Sequence, residues 1–394
     1  MHIFHKMGHL VGGTLLVTGT SIGVGMLALP VATAEGGFFP SLMVYVVCWL
    51  FMLATGLLVM EACLWMPPGS NLITMATKLL GRGGQVFCWV VYLFLFTCLM
   101  VAHVAAGGSI VSQMSGHAIP QWLGTIIYLA VFSPAVYLGT VWVDRLNMGL
   151  MAGVTVTYFL FVIFAAGYVN VDLLKVMHFS EAWVALPVVF TAFGYQSLIP
   201  TLVTYMKRDA KKVRFAIICG TAIPLVIYII WDLLVHGIIP IGGLVEALHK
   251  GQNAVEPLGL YIKNPIISKL GVAFGFFAMT TSMFGLSIAY MDFLADGFHL
   301  KRKAFNRILP YSIVFILPML ITWIDPTVFL HALNYAGGIG VALLLGAMPI
   351  AMVWAGRYYQ KKSHVYQQVR GGKTVLAILM AFVVFELVIQ LGFS

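Results

Sequence analysis

Two apolar stretches of the chain are interrupted by glycine and hydroxyl residues whose backbone could bind a ligand. The first interruption, at 19–25, reads Gly-Thr-Ser-Ile-Gly-Val-Gly, and the second, at 191–197, reads Thr-Ala-Phe-Gly-Tyr-Gln-Ser and is soon followed by Pro200. Each glycine costs a helix about 1 kcal/mol, and an unwound segment inside a membrane is tolerated only where it lines a cavity. The alternative is close packing between helices through small residues, which the Gly19-xxx-Gly23 spacing fits equally well.

Six ionisable residues lie inside apolar stretches or at their ends, where a charge is costly and indicates function by default. They are Glu61, His103, Asp232, Asp292, Asp296 and Glu386. Asp232 lies deepest among the carboxylates of the first ten stretches, and both a structural role and a titrating role fit it. His103 is interpreted as a hydrogen-bonded structural histidine, and Glu386 as a snorkelling residue or a partner contact. Glu61 and Asp292 fit polar anchors near the ends of stretches, and Asp296 is predicted to face the lysines and arginine of 301–303 in solvent.

The composition leaves one class of protein for these residues. Of 394 residues, 61% are hydrophobic and only 9% are charged, whereas a soluble domain carries roughly a quarter charged residues. The chain is therefore predicted to be a polytopic membrane protein, which excludes a disordered chain, a disulfide scaffold and a nucleic-acid partner. The five cysteines have no CxxC spacing, so neither disulfides nor a metal site is predicted.

About 20 apolar residues are needed for a helix to cross a bilayer, and the chain contains eleven such runs. The predicted spans are 9–34, 40–65, 84–113, 121–140, 146–168, 183–206, 214–238, 265–293, 308–324, 327–356 and 374–393. The fold class is accordingly an all-α polytopic membrane protein, with 1–394 forming a single transmembrane domain. A short surface helix is predicted at 71–81, capped by Ser or Asn and ended by Gly81.

The basic residues predict the orientation. With the N-terminus in the cytoplasm, 18 of the 22 lysines and arginines fall in cytoplasmic segments, as the positive-inside rule requires. An odd number of spans then places the C-terminus in the periplasm.

The two interruptions fall in the first and sixth spans. Corresponding positions are expected if spans one to five (about 9–168) and six to ten (about 183–356) are inverted repeats, with 374–393 as an appended helix. Paired interruptions of this kind indicate a substrate site near the bilayer midplane. The repeat is inferred from span order, because the two halves share no residue-level identity.

Several motifs together resemble one family. Residues 19–30 resemble the first-helix signature of the hydroxy and aromatic amino acid permeases, and 191–200 resemble their sixth helix. Further matches are 292–296, 333–337, Glu61 and Trp231. The resemblance covers nearly the whole chain and is strongest to the tyrosine-specific permeases of bacteria. Tyr195-Gln196 stands where those permeases have Phe-His, and this departure bears on the substrate.

The resemblance implies the leucine-transporter-type fold and a set of binding roles. Backbone N–H groups near Ser21, Val24 and Gly25 would hold the carboxylate of an amino acid. Carbonyls of Phe190, Thr191 and Phe193 would hold its ammonium, and an apolar pocket would take an aromatic side chain. The implied substrate-binding residues are Thr20, Ser21, Gly23, Val24, Gly25, Thr97, Val101, Phe190, Thr191, Phe193, Gly194, Tyr195 and Gln196.

The sequence is compatible with two coupling ions, Na⁺ and the proton. Residues 278–282 resemble the Ala-x-x-Thr-Ser pattern of sodium-coupled relatives, in which hydroxyls and first-helix carbonyls hold Na⁺. The implied ligands are Gly19, Ile22, Ala278, Thr281 and Ser282. Hydroxyl side chains also occur in packing contacts between helices, so this pattern fits a structural role as well. The closest family favours protons as the coupling ion. If protons couple, Asp232 is the first candidate acid because it is the deepest.

The resemblance thus implies a secondary symporter of the bacterial inner membrane that imports an aromatic amino acid, tyrosine above all, with protons and without a cofactor. The alternatives are sodium coupling and a serine or threonine permease. An intramembrane enzyme would need a motif such as HExxH or paired intramembrane aspartates, and a channel would need a TVGYG-type filter. The sequence contains none of these.

Overall fold

A computed structural model describes residues 2–262, 264–298, 308–362 and 366–393. These residues form seventeen α-helices joined by short turns. The helices are α1 His2–Ser21, α2 Val24–Ala32, α3 Phe38–Trp65, α4 Leu72–Met114, α5 Gln121–Leu138, α6 Thr140–Ala165, α7 Phe179–Ala182, α8 Leu186–Ala192, α9 Ile199–Tyr205, α10 Ala210–Ile238, α11 Ile241–His249, α12 Val255–Tyr261, α13 Pro265–Gly297, α14 Ile308–Ile324, α15 Val328–Tyr335, α16 Met348–Trp354 and α17 Gly372–Phe393.

The prediction of a helical polytopic membrane protein is confirmed. Within the described ranges, nine helical segments are long and apolar enough to cross a membrane. A tenth is formed by Leu10–Ser21 and Val24–Ala32, which meet at an angle of 52°. The apolar helix α14 has 17 residues and is shorter than the rest.

The break expected in the first span lies at Ile22–Gly23, and the break in the sixth lies between Ala192 and Ile199. Both interruptions therefore unwind the backbone rather than serving only as small-residue packing contacts. A 3₁₀ turn at Gln196–Leu198 leads from the second break into α9.

One predicted boundary was wrong for a physical reason. The fifth span was predicted to begin at 146, but α6 begins at Thr140. Charged residues end the apolar part of a helix and not the helix itself, so Asp144 and Arg145 lie inside it. The guanidinium of Arg145 lies 5.8 Å from the ring centroid of Trp142, a cation–π contact suited to the membrane interface.

The predicted surface helix is confirmed, and it runs on into the third span. The side chain of Asn71 accepts a hydrogen bond from the backbone N–H of Thr74 at 2.8 Å, which caps the start of α4. Gly81 has a φ of 75° and breaks the helical geometry there. This backbone conformation strongly favours glycine, so Gly81 sets the angle between the surface helix and the span that follows.

The helices that hold the two breaks pack against one another at the centre of the molecule. The first-span helices α1 and α2 contact α10, and α2 also contacts α8 of the sixth span. Across from them stand α4 and α13, which contact each other. The tenth predicted span widens into a π-helix over Ala336–Ala347. A Cβ at Gly337 would lie 1.6 Å from the carbonyl oxygen of Pro187, so this glycine lets the π-helix pack directly on α8.

The loop between α10 and α13 is attached to α4 through a partly buried carboxylate. Glu256, in α12, accepts a hydrogen bond from the hydroxyl of Ser109 at 2.5 Å and another from the side-chain amide of Asn253 at 3.0 Å. Burial raises the pKa of Glu256, against the lowering effect of these hydrogen bonds. The native state therefore holds this proton more tightly than the unfolded chain does.

The free energy of unfolding should consequently fall as the pH rises through the ordinary range of a glutamate and up to the raised pKa of Glu256. We expect Glu256→Gln to remove this component of the pH dependence, because the amide oxygen still accepts both bonds and cannot ionise. Glu256→Ala leaves buried donors unpaired and should cost about 1–3 kcal/mol. Thermal unfolding in detergent micelles at pH 5 and pH 8 measures both effects.

The matched control is Glu246→Gln, because Glu246 pairs with Lys250 on the exposed face of α11. It should leave the pH profile of unfolding close to that of the wild type. A Glu256→Gln variant with the unchanged pH dependence of the wild type would contradict the prediction.

Candidate functional site

The break between α1 and α2 presents free backbone donors to the interior. Gly23 is extended, with φ −174° and ψ −147°, and no side chain caps the start of α2. The first N–H groups of a helix have no partner inside it, and here they belong to Val24 and its neighbours. They also carry the positive end of the helix dipole. The break is thus suited to an anion.

The second break presents acceptors beside those donors. α8 ends at Ala192, and its negative dipole end points toward the unwound segment. The N–H of Gly194 donates to the carbonyl of Thr191 at 3.3 Å, and the hydroxyl of Thr191 donates to the carbonyl of Leu333 at 2.9 Å. The end of α8 is therefore suited to a cation such as an ammonium group.

A tyrosine hydroxyl joins the two breaks. The hydroxyl of Tyr228, in α10, lies 2.5 Å from the carbonyl oxygen of Ser21 and 2.8 Å from that of Ala192. Its single hydrogen can be donated to either of these two carbonyls, which the helix interruptions release, and the side chain is fully buried. Sequence reasoning missed Tyr228, because nothing in its own span distinguishes it from other core aromatics.

Both breaks face one cavity of about 1030 Å³, which is also lined by α4, α13 and the π-helix. The predicted residues that line it are Gly19, Thr20, Ser21, Gly23, Val24, Gly25, Thr191, Gly194, Thr281 and Ser282. Its lining among the described residues contains no lysine or arginine. A carboxylate bound there would therefore depend on backbone N–H groups.

The rest of the predicted binding residues lie behind the cavity wall, which changes the expected pocket. The hydroxyl of Tyr195 and the amide nitrogen of Gln196 each lie 3.2 Å from the carbonyl oxygen of Met52, in α3. A buried amide needs partners, and α3 supplies them, so this pair faces α3 and not the cavity. The ring of Phe193 packs on Tyr228, with centroids 5.1 Å apart.

The remaining three predicted binding residues are also core residues. Phe190 stacks on Phe51 at 5.2 Å. The hydroxyl of Thr97 lies 2.8 Å from that of Tyr290, between α4 and α13, and Val101 is buried. Between Thr97 and Val101, Leu99 lines the cavity. The rotation of the helix about its axis decides which of these residues reach it.

Aromatic side chains on a different face of α4 form part of the cavity wall. The lining residues of this helix include Trp89, Tyr92, Phe96, Leu99 and His103. They follow one another at intervals of three or four residues, which is the spacing of one helical face. That periodicity was present in the sequence and could have identified the aromatic wall.

The five residues implied for a sodium site do not all line the cavity. Gly19, Thr281 and Ser282 line the cavity, whereas Ala278 is buried and Ile22 packs against the core. The hydroxyl of Thr281 donates to the carbonyl of Ala278 at 2.9 Å.

Ser282 already has a side-chain partner. Its hydroxyl oxygen lies 2.9 Å from Nε2 of His103. In the part of the chain that the structure describes, no group of three His, Cys, Asp or Glu side chains could hold a metal ion.

Asp232 lies within the bundle and away from the cavity. Its Oδ1 accepts a hydrogen bond from the hydroxyl of Tyr45 at 3.0 Å and lies 3.3 Å from Nδ1 of His236, one helical turn further along α10. All three side chains are buried. This arrangement connects α3 to α10.

Glu386 was expected to snorkel or to contact a partner, but it is fully buried. Neither of its carboxylate oxygens has a hydrogen-bond partner among the described residues. Its helix, α17, packs on the π-helix and on α16 rather than standing apart in lipid, which explains why the side chain does not reach an interface.

Comparison with known proteins supports a transporter. Residues 6–390 match the model of the tryptophan/tyrosine permease family. The chain is 29% identical to a tryptophan-specific transport protein of Haemophilus influenzae, covering 99% of this chain and 97% of that protein. It is 27% identical to tyrosine-specific transport system 1 of the same organism, covering 95% and 94%.

The fold is similar to that of a solved crystal structure. The crystal structure of MhsT in complex with L-phenylalanine gives a TM-score of 0.64 at 14% identity and covers 96% of this chain and 98% of that one. The apolar spans and the bacterial relatives together indicate a multi-pass protein of the inner membrane. The chain is a transport protein rather than an enzyme, and it belongs to the tryptophan/tyrosine permease family.

Proposed function

We propose that the protein is a secondary active symporter that imports aromatic amino acids, tyrosine first, by alternating access coupled to the proton gradient. The observation that carries the proposal is the meeting of two broken helices at one cavity, one break offering donors and the other acceptors. This pairing suits the carboxylate and ammonium groups of an amino acid. The names of the relatives supply the substrate class.

The substrate is placed with its carboxylate at the start of α2 and its ammonium at the end of α8. Its ring would then extend toward Phe96 and Leu99 on one side and toward Val341 and Leu345 of the π-helix on the other. These side chains form an apolar and aromatic wall, which a large ring would fill by dispersion and stacking. A serine side chain would leave most of this volume empty.

For the arrangement in the membrane, we propose eleven spans, with the N-terminus in the cytoplasm and the C-terminus in the periplasm. Spans one to five and six to ten would form the inverted repeats, with α17 as the added helix. The described segments supply ten spans, and α14 would be the eleventh. The cavity reaches Asn71, Asp296 and Thr201, which this orientation places toward the cytoplasm. The conformation would then be inward-facing.

Uptake of labelled tyrosine into proteoliposomes, with pH and Na⁺ gradients imposed separately, tests the proposal. We expect accumulation driven by an inward proton gradient in the absence of Na⁺. Unlabelled phenylalanine and tryptophan should compete, whereas serine should not, because a hydroxymethyl group cannot fill the aromatic wall. Accumulation that requires Na⁺ would favour the sodium-coupled alternative, and stronger competition by serine than by tyrosine would favour a serine or threonine permease.

A further inference from the structure

A groove with an apolar floor and a basic rim lies on the outside of the helix bundle. Its volume is about 540 Å³, and it is lined by α3, by the beginning of α10 and by the segment that precedes α17. It shares no lining residue with the cavity that both breaks face. We propose that this groove binds an anionic phospholipid, with the phosphate at Arg214 and Arg370 and an acyl chain along α3.

The floor of the groove is one apolar face of α3. It consists of Leu50, Leu53, Ala54 and Leu57, which stand at the i, i+3, i+4 and i+7 positions of a single helical face. The helix α3 is long and apolar enough to cross a membrane, and Leu50 is 52% exposed. This face therefore meets hydrocarbon rather than water. It extends for about 10 Å at 1.5 Å per residue, which gives several methylene groups of an acyl chain a surface to pack on.

The rim of the groove carries two arginines at the ends of membrane-spanning helices. Arg214 lies about one turn inside the start of α10, and Arg370 lies two residues before the start of α17. Both side chains are exposed. Because both helices are candidate membrane spans and both arginines line one groove, the two helix starts lie at the same surface of the membrane. Lipid phosphates lie at that level, and in the proposed orientation the surface is the cytoplasmic one.

The rim is held in place by the buried ion pair at the end of α3. The backbone N–H of Gln368 donates to the carboxylate of Glu61 at 2.8 Å, and the guanidinium of Arg357 donates to the carbonyl of Val369 at 3.0 Å. Nη1 of Arg214 lies 3.5 Å from the carbonyl oxygen of Gln368. The segment before α17 is thus tied to α3, so the rim is a fixed part of the fold.

The positive charge of the rim is not compensated by the protein. Among the described residues, neither rim arginine has a carboxylate within ion-pair distance. The acids nearest to the groove along these elements are engaged elsewhere, since Asp209 pairs with Lys212 and Glu61 pairs with Arg357. A guanidinium group presents five N–H donors in a plane and binds phosphate through two of them at once. The rim therefore offers two such groups to one anion.

This charge balance favours an anionic lipid over a zwitterionic one. A zwitterionic headgroup carries an ammonium group beside its phosphate, and the rim offers that group two positive charges and no unpaired carboxylate among the described residues. A headgroup with a net negative charge meets no such repulsion. Lys211, three residues before Arg214 in α10, is also exposed and adds to the positive potential at this surface, which attracts anionic lipids.

A lipid in this groove would join three segments that are distant in the sequence. Its phosphate would connect the start of α10 to the segment before α17, and its acyl chain would hold both against α3. A ligand that binds the native state and not the unfolded chain stabilises the native state by mass action. The inference therefore concerns stability in the membrane, and it does not depend on which substrate or coupling ion is transported.

Thermal unfolding of the delipidated protein in detergent tests the proposal, with phosphatidylglycerol or phosphatidylcholine titrated into the micelles. Phosphatidylglycerol should raise the unfolding midpoint of the wild type by about 3 °C or more, and phosphatidylcholine should raise it much less. Arg214→Gln and Arg370→Gln should each raise the half-saturating fraction of phosphatidylglycerol about fivefold, because one of two positive charges is lost. Both side chains are exposed, so the lipid-free variants should unfold at the temperature of the wild type.

Two further variants test the position of the site. Arg82→Gln removes the same charge from an exposed position just before the third span, and it should titrate as the wild type does. Ala54→Leu adds three carbon atoms to the floor without a change of charge, and it should raise the half-saturating fraction about fivefold or more. Equal stabilisation by the two lipids would overturn the proposal. An effect of Arg82→Gln as large as that of Arg214→Gln would also overturn it, because the surface charge as a whole would then be responsible.

Inorganic phosphate at millimolar concentration distinguishes a lipid from a free anion. It has no acyl chain to place on the floor of the groove, so it should leave the unfolding midpoint nearly unchanged. If phosphate raised the midpoint as much as phosphatidylglycerol and Ala54→Leu had no effect, the groove would be an anion site, and the lipid proposal would be refuted.

Discussion

A methyl group added at Gly25 should strongly reduce tyrosine uptake. A Cβ at this position would lie 2.8 Å from the Cα of Ala192 and 3.2 Å from its backbone nitrogen. Real Cβ atoms do not approach backbone atoms so closely, and backbone cannot rotate away as a flexible side chain can. The Gly25→Ala variant must therefore push the start of α2 away from the end of α8.

That displacement separates the two groups on which the proposed site depends. Overpacking of a closely packed contact costs about 1–3 kcal/mol, which corresponds to a loss of about 5- to 150-fold in substrate affinity if the cost falls on the bound state. Equilibrium binding of labelled tyrosine to the purified protein measures this directly, and uptake measures its consequence.

The matched control is the same substitution at Gly149, in the middle of α6. A Cβ there meets nothing within 4 Å, and alanine favours a helix over glycine. Gly149→Ala should bind tyrosine as the wild type does. Wild-type affinity in Gly25→Ala would contradict the close approach of α2 and α8 as a requirement for binding.

The sequence predicted those features that depend on the local chain. The breaks of the first and sixth spans follow from glycines and polar residues inside apolar runs, and the start of the surface helix follows from Asn71. Such features need no knowledge of neighbouring helices. The apolar length of each span also depends only on the local sequence. Most spans are therefore predicted at nearly their observed positions.

Features that depend on contacts between distant segments could not be predicted in this way. Tyr195 and Gln196 follow the second break, and their direction is decided by the acceptors that α3 offers at Met52 and Thr55. The resemblance alone suggested that they face the substrate. His103 and Ser282 lie 179 residues apart, and only the packing of α4 on α13 brings the two polar groups together.

The ion pair between Glu61 and Arg357 is another long-range contact that the sequence did not predict, since Glu61 was interpreted only as an anchor. Nε and Nη2 of Arg357 donate to the two carboxylate oxygens of Glu61 at 2.7 and 2.6 Å. The backbone N–H of Gln368 donates to the same carboxylate at 2.8 Å, and Nη2 also donates to the carbonyl of Val369 at 3.0 Å. Both charged side chains are buried. The pair thus joins the end of α3, the end of the tenth predicted span and the segment before α17.

Breaking this pair should destabilise the protein more than any exposed ion pair does. Removal of one partner from a buried ion pair leaves an uncompensated charge and costs about 3–5 kcal/mol, so Glu61→Gln should lower the free energy of unfolding by that amount. The exposed pair Lys175–Asp172, with side chains 69% and 78% exposed, provides the control, and Lys175→Gln should change stability by about 0.5 kcal/mol or less. Denaturation in mixed micelles gives both values.

The double variant Glu61→Gln with Arg357→Met shows whether the charge itself is responsible. Methionine fills part of the space of the arginine and carries no charge, so the double variant should recover part of the stability lost in Glu61→Gln. If the loss came only from the weakened hydrogen bonds of residue 61 with Arg357 and Gln368, the second substitution would also remove the bond from Arg357 to Val369 and add to the damage instead. A Glu61→Gln variant as stable as the wild type would show that the pair does not hold these three segments together.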